Sequence, residues 1–514
     1  MSFASPTTRL PFLIGTAVAG LLAVLAAVMP ATAAAQPAPT LLESDAGVTS
    51  VACPAIGDCT AVGSYESTGG EPLGLLLTET GGLWAPSTEA VMPNGSSNDP
   101  NVNLAAVSCG SAGDCSAVGN YVDSSYNQQG VVINERSGTW HTGSKVFSPP
   151  GAAGNPEETM QAVSCPSAGN CGAVGDYVNQ YGETSALVVN ETKWDWSPVQ
   201  TITLPAGATG TLGPSSSLDS ISCTSAGNCT AVGWYTSDAN AIEGLLLNEV
   251  NGVWQAGVEA VPPTPTAAQP NVSLSSVSCS APGTCSAVGY YDDSLSNQQG
   301  MLLSESGYVW SAGALPGLPG NAAGAQSTTL NSVACTGPGD CTAAGVYTDD
   351  AGNFQGLLLN QSGGVWAAGT EAVLPPGAAV SQKVALNSVA CGAYETCVVA
   401  GTYFSNHPTA LLLSETGGRW KHPIKGVMPA DGAGDPFAAV NDLACAGTAY
   451  CIVAGQYVDA AGNSQGLVIE GDGLYWRAGL QASLPGGLVT AIKLHKKSRR
   501  TEARGPTKHR HALP

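Results

Sequence analysis

The sequence is short of charge, and shortest of positive charge. Charged residues make up 11% of the 514, and between Gln36 and Thr490 only eight Lys and Arg face 37 Asp and Glu. Such a body does not suit nucleic acid, whose phosphates must be neutralised by clustered Lys and Arg. Histidine is almost missing from the same stretch, which holds only His141, His407 and His422. That leaves little material for a Ser/His/Asp relay or for repeated Cys/His metal sites. No H-E-x-x-H or phosphate-binding loop occurs. Only one long apolar run exists, "PFLIGTAVAGLLAVLAAVM" from Pro11 to Met29. It follows Arg9 and precedes the small-residue segment "ATAAAQPAP", in which Ala33 and Ala35 fit an A-x-A cleavage site. Residues 1–35 therefore read as an export signal cut before Gln36. The alternative is an uncleaved anchor, because the run is near the minimum length for crossing a bilayer.

What the sequence has in quantity is Gly (65), Pro (34) and a 43% hydrophobic content, which together mean a folded, turn-rich chain and not a disordered one. Residues 491–514 are the exception. They carry eight Lys and Arg against one acid and read as a disordered basic tail, either simply solvated or touching anionic wall polymers or lipid.

Sixteen cysteines fall into eight C-x5-C pairs: Cys53/Cys59, Cys109/Cys115, Cys165/Cys171, Cys223/Cys229, Cys279/Cys285, Cys335/Cys341, Cys391/Cys397 and Cys445/Cys451. Each second cysteine is followed by a Gly four positions on and a Tyr six positions on, and a Trp lies about 30 residues after each first cysteine. A period of roughly 56 residues holds from about Leu42 to Pro485. In each unit, four short β-rich runs are separated by turn-forming segments, and none has the length and 3.6-residue period of a helix. Four-stranded antiparallel units repeated in this way predict an all-β, eight-bladed β-propeller spanning residues 36–490. A seven-bladed ring or an open repeat array are the alternatives. Closure is expected from packing of unit one on unit eight.

The turn before each Trp, as in "TETGGLW" (78–84), "SESGYVW" (304–310) and "SETGGRW" (414–420), resembles the Asp-box of bacterial neuraminidase-repeat propellers, with Glu in place of the usual Asp. The "AVG" after the second cysteine is similar to the second strand of photosystem-assembly-factor-like propellers. Repeats with an added cysteine pair resemble those of secreted actinobacterial proteins. The resemblance raises the possibility of sialidase chemistry, which in that family uses three arginines clamping a carboxylate, a Tyr/Glu pair and an Asp. The body has only three arginines, Arg136, Arg419 and Arg477. All lie beside the repeat Trp, hence at the rim, and the family's Arg-Ile-Pro signature is missing.

Eight equal cysteine pairs have no catalytic logic, and their spacing suits neither zinc nor a C-x-x-C redox centre. Even number, export and a Gly-containing five-residue loop predict eight disulfides, one within each hairpin. For ligand binding, the turns between second and third strands supply a polar face: Asp123 and Tyr126; Asp292 and Asp293; Asp349 and Asp350; and Asp459. These either contact a glycan, a peptide or a weakly held Ca²⁺, or are ordinary turn residues. Trp234, where other units have a smaller residue, and Trp194, extra to the repeat, are either stacking platforms or local packing. The sequence thus reads as a secreted, monomeric, non-catalytic binding or scaffold module without metal or cofactor, its partner a glycan, peptide or cell-wall polymer. The alternatives are a carbohydrate-active enzyme on the same ring, and an envelope protein tethered by its tail.

Overall fold

A computed structural model describes residues 45–485 except 209–213, 326, 394, 422, 435 and 449. The expected export signal and basic tail lie outside the described residues. Those described form eight antiparallel sheets, one per repeat, and the ring is an eight-bladed β-propeller. The first strands are Ala46–Ala55, Asn103–Ser111, Thr159–Ser167, Ser216–Ser225, Ser273–Ala281, Thr328–Gly337, Ala385–Ala393 and Ala438–Cys445. Each contacts the first strand of the next blade, so these eight strands surround the axis.

Blade four shows the pattern. Ser216–Ser225, Asn228–Thr236 and Ile242–Val250 make a meander, and a fourth, interrupted strand follows at Val253–Trp254 and Val258–Ala260. The third strand is apolar at consecutive positions because both its faces are covered by sheets: Leu245, Leu246 and Leu247 are all buried. Packing lies between blades and not at one common centre. Val174, Ala186 and Val188 of blade three, for example, join Leu218, Ala231, Tyr235 and Leu245 of blade four. Each fully buried Leu or Val contributes roughly 1.5–3 kcal/mol.

The repeat Gly has a steric cause. A bulge in each first strand, at Asp219 in blade four, pushes that strand's backbone against the second strand. A Cβ on Gly233 would lie 2.1 Å from the Ser217 carbonyl oxygen, and one on Gly63 1.9 Å from that of Gly47. No other residue fits there.

The ring closes by packing of its last blade on its first. Blade eight buries Ile452, Ala454 and Val468 against Val48, Val51 and Leu75 of blade one. Asn441 Nδ2 donates to the Val48 carbonyl at 2.8 Å, and Ser50 Oγ donates to Asp442 Oδ2 at 3.0 Å. Among the described residues no strand is exchanged between blades one and eight.

Candidate functional site

All sixteen cysteines are paired as the spacing predicts, in eight hairpin disulfides with Cα–Cα distances of 3.9–4.2 Å. In blade four Cys223 stands opposite Cys229 in register. Their surroundings differ from those of a clip at the surface of a turn. The second member of every pair, Cys59, Cys115, Cys171, Cys229, Cys285, Cys341, Cys397 and Cys451, is buried. Each joins the apolar core that its blade shares with the preceding one. The reason is its place at the start of the second strand, which lies between neighbouring sheets, whereas most of the first members are only half-buried. Several of these sulfurs meet a hydroxyl of the preceding blade: Cys115 Sγ is 3.3 Å from Thr60 Oγ1, Cys285 Sγ 3.3 Å from Thr230 Oγ1, and Cys341 Sγ 3.4 Å from Ser286 Oγ. The cysteines are thus core residues as well as staples. Bridges of this number belong to an oxidising compartment. Among the described residues no helix is long and apolar enough to cross a membrane.

On the opposite face, the turns between second and third strands meet the blade-to-blade connections, as the bridge from Ser96 to Asp123 and that from Thr266 to Asp293 show. Here Asp123, Asp293, Asp349 and Asp459 do one job on four blades. Asp123 Oδ1 accepts the Ser125 and Asn127 N–H groups at 2.8 and 3.0 Å, while Oδ2 accepts Gln129 Nε2 at 2.9 Å. Asp293, Asp349 and Asp459 repeat this arrangement. For Asp123, burial pushes the carboxyl upward, but the N–H donors outweigh it and hold it below its ordinary value. These four carboxylates are turn locks. Asp292 is occupied by Asn271 Nδ2 at 2.6 Å. Asp350 and Tyr126 are exposed, and Trp234 is half-buried on a second strand, in register with Ser217 and Gly244. The structure therefore does not gather the eight candidates into one site.

The Asp-box-like Glu also differs from its expected role as a turn residue. Glu79, Glu135, Glu191, Glu249, Glu305 and Glu415 are buried between blades. Asn134 Nδ2 of blade two donates to Glu191 Oε1 of blade three at 2.6 Å, and Thr78 Oγ1 of blade one donates to Glu135 Oε1 of blade two at 2.9 Å. The turn is instead held by the residue before the second cysteine. Asp58 Oδ1 accepts the Gly81 N–H at 3.0 Å, and Asp114 and Asp340 do the same in their blades.

One acidic pair lies beside the axis. Ser217 Oγ donates to Asp176 Oδ2 at 2.9 Å and lies 3.4 Å from Asp219 Oδ1. Burial, then the Asp176 charge, pushes the Asp219 carboxyl up to about 6. Another sequence feature has no such setting. "GNSQG" (462–466) has the spacing of a nucleophile elbow, which needs a strand-to-helix turn. It sits instead in the turn entering the third strand of blade eight, where the Ser464 hydroxyl donates to the Ala46 carbonyl.

The most irregular feature is a groove of about 260 Å³ between the outer edges of blades two and three. Blade two contributes Arg136, His141, Lys145 and Phe147, and blade three contributes Trp194, Asp195, Trp196 and Ser197. Trp194 follows from a strained turn. The two residues between third and fourth strands form a turn with both φ values positive, which favours Gly or Asn. Other blades have Gly81/Gly82, Ser137/Gly138 or Asn251/Gly252, whereas blade three has Lys193 at φ 53° and Trp194 at φ 73°, and blade five has Tyr308 at φ 64°. A bulky side chain in that region costs about 1–2 kcal/mol. Its ring lies over Gly169, where a Cβ would come within 2.8 Å of it. On the ring Arg136 stacks with its guanidinium carbon 4.7 Å from the centroid, and Arg136 Nη2 donates to the Trp194 carbonyl at 3.1 Å. The sequence had marked Trp194 but had set Arg136 aside as misplaced for an axial clamp. The two are 58 residues apart, two more than the repeat between blades two and three, so repeat alignment does not pair them.

No protein-family model matches the chain, and no curated protein does either. Its shape is similar to several propellers among solved structures. A Hadza microbial sialidase is 11% identical over 64% of this chain and 70% of its own, with a TM-score of 0.36. An ulvan-degrading polysaccharide lyase is 11% identical over 72% and 92%, with a TM-score of 0.42. The fucose-specific lectin of Aleuria aurantia is 15% identical over 65% and 100%, with a TM-score of 0.30. These are likenesses of fold.

Proposed function

We propose that the chain is an extracellular, non-catalytic binding module whose ligand site is the groove between blades two and three. The observation that carries this reading is Trp194. A repeat position that is Gly in five blades holds a bulky residue in a left-handed conformation in blades three and five, and in blade three that residue faces a groove. Blade five keeps Tyr308 in the same strained turn, so what points to a use other than folding is the combination in blade three of a strained Trp, a stacked Arg136 and a groove. The disulfides and the signal-like N-terminus support the extracellular placement. The test is a screen of the secreted protein against immobilised glycans and cell-wall polymers, with Trp194→Gly in parallel. Wild-type protein should retain a ligand that Trp194→Gly loses, and equal retention by both would remove the groove from consideration.

A second reading, a carbohydrate-active enzyme, rests on the Asp176–Asp219 pair. One carboxyl poised near pH 6 beside another is an arrangement suited to acid–base work. Release of new reducing ends or unsaturated products from any polysaccharide, abolished by Asp219→Asn, would favour it.

A further inference from the structure

We infer that the groove between blades two and three recognises a saccharide residue bearing a carboxylate, that is, a uronate unit of an acidic glycan. This rests on the reading of the groove as the ligand site and adds its chemistry. The body has very few cations, yet two of the eight Lys and Arg between residues 36 and 490 line this one groove, together with one of the three histidines. Among the described residues, no hydrogen bond is seen from the His141 or Lys145 side chains, and the Lys145 charge is shared with the carboxylates of Asp123 and Glu158 nearby. Asp195 is the only acid among the lining residues.

The position of Lys145 makes the point more sharply. The residue five places after the repeat Trp is Glu89, Glu259 and Glu371 in blades one, four and six. There it accepts a hydrogen bond from the buried tyrosine of the same blade, Tyr65, Tyr235 or Tyr347. Blade two reverses the charge at this position, so Tyr121 has no such acceptor and a cation faces the groove instead. Blade seven makes the same exchange with Lys425, but the following blade has Leu474 where blade three has Trp194. At the Arg136 position the other blades have Thr80, Thr192, Val250, Ser306, Ser362, Thr416 and Asp472, none of them a cation.

The remaining walls suit a sugar ring. Trp196 gives its indole N–H to Asn134 Oδ1 at 3.1 Å, so what it can offer a ligand is apolar ring surface. Phe147 is exposed beside it. Thr142 and Ser144 bring hydroxyls that can pair with those of a sugar, whereas that of Ser197 donates to the Pro198 carbonyl and accepts the Asn190 N–H. Arg136, fixed by the Trp194 carbonyl and ring, still has guanidinium N–H groups for a carboxylate, a bond that charge assistance strengthens. The volume is of the order of one to two pyranose rings. Aromatic faces, hydroxyls and a fixed guanidinium together describe an acidic sugar.

The experiment is calorimetric titration of the secreted protein with trigalacturonate, its fully methyl-esterified form, and a tripeptide with a free C-terminus. Three variants accompany it: Lys145→Gln, Arg136→Gln and Trp194→Gly. Trigalacturonate should bind, and its ester should bind about tenfold more weakly, a fixed ionic hydrogen bond being worth about that factor. Lys145→Gln and Arg136→Gln should weaken the acid several-fold and leave the ester unchanged, whereas Trp194→Gly should weaken both. Equal affinity for acid and ester, with Trp194→Gly weakening both, overturns the uronate and leaves the groove as the site. Acid binding that Trp194→Gly does not change overturns the groove as well. No binding of trigalacturonate at millimolar concentration, or preference for the tripeptide, also overturns the uronate. Circular dichroism melts of each variant confirm that lost binding is not lost fold.

Discussion

Two grooves lie on either side of the outer edge of blade three and share the wall made by Asp195, Trp196 and Ser197. The groove toward blade two is lined by Arg136, His141 and Lys145. The groove toward blade four is somewhat larger, about 350 Å³, and is lined by Glu191, Glu249, Thr192 and Gly252, with no Lys, Arg or His. Both arise because the fourth strand of each blade is interrupted and stands away from its neighbour. The fold therefore provides a recess at these two junctions, and side chains alone decide its character. Thr192 and Gly252 of the second groove are the repeat counterparts of Arg136 and Trp194 in the first.

The largest disturbance should come from the clasp beneath both grooves. Glu191 accepts Asn134 Nδ2, and Ser116 Oγ lies 3.3 Å from its other oxygen. Removing it in Glu191→Ala leaves a buried amide without an acceptor and a cavity beside it, a loss of about 2–4 kcal/mol in chemical denaturation. Glu191→Gln should be tolerated, since blade six already has Gln361 at this position. It should also change the response to pH. Burial pushes the Glu191 carboxyl from 4.5 up to about 7, against the lowering effect of Asn134 and Ser116. A carboxyl raised on folding binds its proton more tightly in the folded state. The stability it contributes is thus fully present below about pH 4.5 and is lost as pH rises through 7. Relative to wild type, Glu191→Gln should gain melting temperature between pH 5 and pH 8, and a parallel pair of profiles would refute the raised value.

Next in size is the staple of blade three. The Cys165→Ala/Cys171→Ala double variant opens a short loop and trims two buried sulfurs from the core between blades two and three. Its cost should be about 2–3 kcal/mol, without loss of the ring. Because Cys171 lines the groove toward blade four and not the other, ligand binding should survive the change. Transplanting the stack comes third. Thr192→Arg/Gly252→Trp places a tryptophan at a position where φ is 82° and should cost about 1–2 kcal/mol, partly offset by the new stack. If side chains alone decide the groove's character, this variant gains measurable affinity for trigalacturonate at a second site, read as a stoichiometry above one.

The ring was legible in the sequence because repetition multiplies weak signals. Eight aligned cysteine pairs, glycines, tyrosines and tryptophans fix the blades, their disulfides and the rim position of the arginines. What lies between blades was not legible in the same way. Spacing pairs Cys115 with Cys109, but only the neighbouring sheet shows that Cys115 is buried against blade one. The Glu before each turn looks like a turn residue within its own repeat, and only the register of neighbouring sheets shows it clasping an Asn 57 residues earlier. The turn aspartates looked available for a ligand because pattern alone cannot count the N–H groups that Asp349 and its counterparts accept. The groove was half visible. Trp194 broke the repeat conspicuously, while Arg136 acquires its meaning only across the junction.

The smallest expected change in stability belongs to Trp194→Gly, and it separates folding from use most cleanly. Glycine restores the residue that blades one, two, four, six and seven have in this turn, relieving strain of about 1–2 kcal/mol. Against this stand the lost Arg136 stack, about 0.5–1 kcal/mol at a partly exposed site, and the half-buried ring surface over Gly169. Gly also adds freedom to the unfolded chain, a further cost of up to about 1 kcal/mol. These contributions have similar size and opposite sign, so the denaturation midpoint should shift by less than about 1 kcal/mol equivalent. A ring placed for packing would instead cost several kcal/mol on removal, as core tryptophans do. Near-unchanged stability together with lost ligand binding is the pattern of a residue retained for recognition, and a large loss of stability would return Trp194 to the packing of blade three.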